Sequence, residues 1–147
     1  MRFIVPISLL CAACATTQPM VDVQGKDLDV TQLAGRWEGT YHGKDSGRSG
    51  TVTFDLIAGY RVAEGKVVMN ALADPAHAQP LQVKFVEIEG RQVGGTISPY
   101  TDPACNCTVE TKFVGRLTGR LIEGTFTTHP VCGTQEQGGT WSVSRKE

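Results

Sequence analysis

The chain has 147 residues, 40% of them hydrophobic, with 17 glycines and a formal charge of -1. That length holds one domain, and the modest apolar content with frequent glycine suits a turn-rich β protein. The near-neutral charge and the lack of any Lys/Arg block leave no footing for a nucleic-acid partner.

The N-terminus reads first. Met1-Arg2 is a minimal positive region, and residues 3–13 are apolar apart from Ser8 and Cys11, with Pro6 inside the run. The run is too short to stay across a bilayer and reads as a secretory signal. Its end, Leu10-Cys-Ala-Ala-Cys14, resembles the lipobox of bacterial lipoproteins, with Cys11 standing where the box usually has leucine. The resemblance implies that residues 1–13 are removed and that Cys14 carries the lipid, including palmitate. The protein would then face the periplasm from the cell envelope, expected at the outer membrane, held by its lipid anchor only. Cleavage after Ala13 or Ala15 without a lipid is one alternative, and a buried N-terminal helix is the other. Residues 14–27 are small and polar, with Pro19 and Gly25, and read as a flexible tether to a single domain over 28–147.

Asp29 or Thr31 is placed to cap one helical turn over residues 32–34, which Gly35 would end. The first strand is expected over 36–42, with Trp37, Gly39 and Tyr41 on one face. The second spans 51–56, with Val52, Phe54 and Leu56 inward. Residues 57–66 read as a long connection, and 67–72 as the third strand. Two prolines make 73–80 a loop. The fourth strand covers 81–88 with Leu81, Val83 and Phe85 inward. The fifth covers 92–98 with Val93, Gly95 and Ile97 inward. After a loop at 99–106, the sixth covers 107–114 with Val109, Thr111 and Phe113 inward. A tight connection at 115–119 leads to the seventh over 120–127, with Ile122, Gly124 and Phe126 inward. A loop at 128–137 precedes the eighth over 138–144, where Trp141 and Val143 share a face.

First and last long strands of matching form would pair and remove the sheet edges. The expected fold is therefore all-β, an eight-stranded antiparallel up-and-down barrel. Local pairing throughout favours it over a sandwich, which needs crossovers. Its interior would hold side chains or one small ligand. Inward Gly39, Gly95 and Gly124 either leave a cavity or make room for aromatic rings.

At Gly35-Arg-Trp37 the chain resembles the Gly-x-Trp that opens the lipocalins and related small barrels, the avidin-like proteins among them. In that superfamily a basic residue near the end of the last strand packs across the opening tryptophan. Arg145 is the matching position here, so Gly35, Trp37, Trp141 and Arg145 are expected to be structural. The resemblance implies binding of a small hydrophobic ligand or of another envelope protein. The small periplasmic protease inhibitors on eight-stranded barrels look like a second relative and imply a protein partner.

After Cys14 three cysteines remain, Cys105, Cys107 and Cys132. Disulfides persist in an exported protein. Alternate loops of a meander share one end of the barrel, so Cys132 is expected to bridge to Cys105, with Cys107 as the alternative. His42, His77 and His129 fall at the same end and make a candidate binding rim. A thiolate and imidazole set there would suit zinc or copper. A disulfide with loop histidines is the favoured reading, so no metal or cofactor is expected. The chain holds no Gly-x-Ser-x-Gly elbow, phosphate loop or His-Glu-x-x-His pair. A non-enzymatic envelope lipoprotein is the reading that follows.

Overall fold

The period-two pattern becomes, among the described residues, nine strands and one short helix. The computed structural model describes residues 20–147 apart from 58, 60, 72, 73, 104 and 134, and excludes the side chains of 28, 70, 71 and 74–78. The expected signal segment, Cys14 and the start of the tether lie outside the described residues. The elements are β1 (Val21–Gly25), α1 (Asp27–Gln32), β2 (Gly35–Gly43), β3 (Ser49–Ile57), β4 (Val62–Ala71), β5 (Asp74–Glu89), β6 (Gln92–Asp102), β7 (Cys107–Thr118), β8 (Leu121–Pro130) and β9 (Gln137–Arg145).

β2 to β9 pair antiparallel with their chain neighbours, and β2 closes the ring on β9 from Trp37–Arg145 to Gly43–Gly139. The barrel nevertheless has nine strands, not the eight of a pure up-and-down meander, because β1 is inserted in its wall. β4 and β5 pair with each other between Lys66–Gln82 and Ala71–Asp74. At the other end β1 takes that place, antiparallel to β4 at Val21–Ala63 and parallel to β5 from Asp22–Phe85 to Gly25–Ile88. Residues 21–25 are thus sheet and not tether. Val21 and Val23 are buried while Asp22 and Gln24 are exposed, the alternation that a strand with one inward face requires.

The helix comes earlier than expected. Thr31 does not cap it but returns its hydroxyl to the Asp27 carbonyl at 2.7 Å. Asp29 accepts from the Gly90 N–H at 3.0 Å, so it ties α1 to the two-residue turn between β5 and β6. Gly90 has a φ of +59°, which suits glycine in such a hairpin.

Among the described residues, 57–66 add no further strand. β3 reaches Ile57 and β4 starts at Val62, so the alternation of ends around the barrel is kept. The loop expected at 73–80 is mostly β5. The strand bulges between the Ala71–Asp74 and Met69–Gln79 pairs, and Pro80 lies opposite Val68. Ladder pairs between β5 and β6 run from Val83–Ile97 to Glu89–Gln92. Among the described residues, Pro80 therefore sits where β5 has only one partner strand, and its missing N–H costs the ladder nothing on the other side. A second bulge, at Lys84, moves the inward phase from Val83 to Val86. Phe85 consequently falls opposite Thr96 on the outer phase, correcting its expected inward place, and Val86 and Ile88 line the interior.

The bridge is Cys107–Cys132, with Cα atoms 6.0 Å apart, and Cys105 is free and exposed. The Cys105 pairing is overturned for a reason of register. Val109 lies opposite Pro130, so two residues back on β7 and two forward past β8 bring Cys107 and Cys132 together. Closing a 25-residue separation stabilises the fold by about 3–4 kcal/mol on the chain-entropy account.

Candidate ligand cavity

The inward side chains do not fill the barrel. Several interior rings lie over glycines of the neighbouring strand. A Cβ on Gly95 would stand 2.5 Å from the Phe113 ring, and one on Gly115 2.5 Å from Trp141. The Trp141 N–H also reaches the carbonyls of Val114 and Thr125, at 3.1 and 3.2 Å. Gly124 is covered by the same indole, while Gly39 faces the β9 backbone at Ser142 and Val143. Glycine thus makes room for flat rings against the wall. What remains along the axis is a cavity of about 100 Å³, lined among others by Val52, Leu56, Val67, Leu81, Ile97 and Phe113.

One end of the cavity is sealed by packing. Trp37 has no solvent exposure. Its ring stacks on Phe54 at 5.9 Å, and its N–H donates to the Leu33 carbonyl at 2.9 Å. Trp37 and Arg145 are register partners across β2 and β9, which puts both side chains on one face. The Arg145 guanidinium lies 4.8 Å from the Trp37 ring centroid and donates to the Gln32 carbonyl at the end of α1. Val30 and Leu33 are buried beneath the same helix.

The opposite end, the rim, is polar. Arg48, in the turn after β2, pairs with Asp102 at the end of β6. Asp102 is 2% exposed. The bond to Asp102 raises the Arg48 pKa, against the opposing effect of burial. Arg48 also points Nη1 at the Met69 sulfur, 3.7 Å away. Beside the pair, the Thr111 and Thr128 hydroxyls are 2.9 Å apart and buried. Burial pushes the Tyr100 phenol above its ordinary range, and hydrogen bonding from Thr111 opposes that. Tyr41, Met69, Tyr100, Thr111 and Thr128 all line the cavity. The arrangement can hold a small apolar body and offer it hydrogen bonds at one end.

The sequence-predicted rim histidines do not join this cavity. His42 and His129 do sit at the rim end, on the outward phase and exposed. His129 Nδ1 lies 3.2 Å from Glu136. His77 falls in the bulged stretch of β5, and its side chain is outside the described residues. Among the described residues no three His, Cys, Asp or Glu side chains gather as metal ligands would. The Cys107 sulfur is taken by Cys132, which removes it as a thiol partner for His129.

Sequence reasoning missed Arg48, Tyr100 and Asp102. All three fall in or beside segments expected as loops, and no local pattern couples positions 54 residues apart. The one available signal was the alternation of Tyr100 and Asp102 continuing past Ile97, hidden by the bulge between Ile97 and Tyr100. No protein-family model matches the chain, and no curated protein matches it either.

Proposed function

We propose that the barrel is a non-enzymatic binding domain for a small, largely apolar molecule, carried in the envelope on a lipid anchor at Cys14. The observation that supports binding is the apolar cavity of about 100 Å³, bounded at one end by Leu33 and Phe54 with Trp37 stacked behind, and edged with hydroxyls at the other. An engineered apolar cavity of about 150 Å³ stays dry and takes benzene or xenon. The cavity here suits a molecule of that size or somewhat smaller.

A ligand that binds only the folded state raises its unfolding midpoint with concentration. Benzene or xenon should do so here, and Val67→Phe, which fills the cavity from β4, should abolish the effect while the protein stays folded. An unmoved midpoint with both probes would end the ligand reading. The anchor is supported by the Leu10-Cys-Ala-Ala-Cys14 stretch alone. Intact mass of membrane-extracted protein should show residues 1–13 missing and acyl mass added. An unprocessed N-terminus would refute it.

A further inference from the structure

Four polar side chains of the cavity wall, those of Tyr41, Tyr100, Thr111 and Thr128, gather at the rim end. Thr111 and Thr128 are direct register partners on β7 and β8, 4% and 5% exposed. A hydroxyl has one donor and two acceptor lone pairs. The single bond between the two threonines uses one proton, and the other remains to be placed. The Tyr100 phenol lines the same cavity wall as both. Three hydroxyls so arranged can donate to an incoming oxygen or accept from one.

The charge behind them decides which oxygen fits. Arg48 is already engaged by Asp102. A neutral group can enter beside this pair without displacing it. A carboxylate would stand near the buried Asp102 carboxylate with Arg48 already taken, and burying a charge there is costly.

We infer that the Tyr100–Thr111–Thr128 cluster is a head-group site, and that the ligand is a neutral amphiphile with a small apolar body and one uncharged hydroxyl or carbonyl. This rests on the cavity being a ligand site, and the test separates the two. Calorimetric or NMR titration with benzene and phenol compares a bare body with one that carries a hydroxyl. In Thr111→Val/Thr128→Val, phenol should weaken roughly tenfold, the scale of one lost buried hydrogen bond, while benzene stays within about twofold. Phenol unchanged, or both probes weakened alike, overturns the head-group site but leaves the cavity reading standing. Failure of both benzene and phenol to bind the unaltered protein overturns the head-group site, and failure of xenon as well overturns the cavity reading too.

The unaltered protein also tests the charge argument, should the double variant not fold. Propionamide and propionate have nearly the same shape and are smaller than benzene. Propionamide should bind about tenfold or more tighter at neutral pH. Equal affinities, or preference for propionate, would refute the neutral-ligand assignment.

Discussion

The two ends of the barrel are built from opposite chemistry. The sealed end is closed by Trp37, Phe54, Leu33 and Val30, with one cation laid across the indole. The rim is held by a charge pair, a hydroxyl pair and a disulfide. The sealed end gains by removing apolar surface from water, which is non-directional and tolerant of small shifts. The rim depends on groups that must stay partnered, where loss of one strands another. The difference assigns roles: packing fixes the fold at one end, and chemistry is available at the other.

The largest effect is expected from breaking the sealed end. Trp37→Ala should cost about 3–5 kcal/mol by transfer and cavity effects, read as a fall in the denaturation midpoint. An unchanged midpoint would mean that the plug is not what holds this end. At the rim, Arg48→Met leaves Asp102 without its charge partner. Stranding one member of a dry pair costs about 3–5 kcal/mol. The partial contact of Arg48 with solvent, 13% of its side chain, puts the expected loss at the low end of that range or below. Arg48→Met/Asp102→Leu should recover part of it, because the buried carboxylate is no longer left without its guanidinium. A double variant no better than the single would show that the pair is not acting through its charges.

The smallest effect sharpens the contrast by pH. The Tyr100 phenol has a raised pKa, chiefly from burial, so the folded state favours its neutral form. That contribution is complete below the unfolded value of about 10 and is lost as pH rises through the higher folded value. Tyr100→Phe should therefore flatten the alkaline fall in stability. A slope identical to the unaltered protein would place the alkaline titration elsewhere.

Much of the wall was legible in the sequence because period two is a local signal. Trp37-Glu-Gly-Thr-Tyr41 and Val109-Glu-Thr-Lys-Phe113 each announce an inward face, and β2 closing on β9 follows from wanting no edges. β1 was partly visible in Val21 and Val23, yet five residues beside Pro19 and Gly25 carry too little pattern to outweigh a tether. β5 was hidden by a rule applied too strictly: Pro80 is tolerated where one flank of the strand has no ladder. Phe85 was misplaced because one extra residue at Lys84 reverses every phase assignment after it. The rim site was illegible for a different reason. Arg48 and Asp102 meet only once the barrel has closed, and each alone resembles an ordinary turn residue.

The insertion of β1 also sets a hierarchy in time. Each meander strand meets its predecessor across a short turn, so those pairings need little loop closure. Asp22 must find Phe85 and Val21 must find Ala63 across intervening strands, and the entropy of closure grows with the length of chain enclosed. The site that β1 occupies is itself made by β4 and β5, so it does not exist until they have paired. The N-terminal strand is thus the first part of the wall to be synthesised and, by this ordering, among the last to be seated.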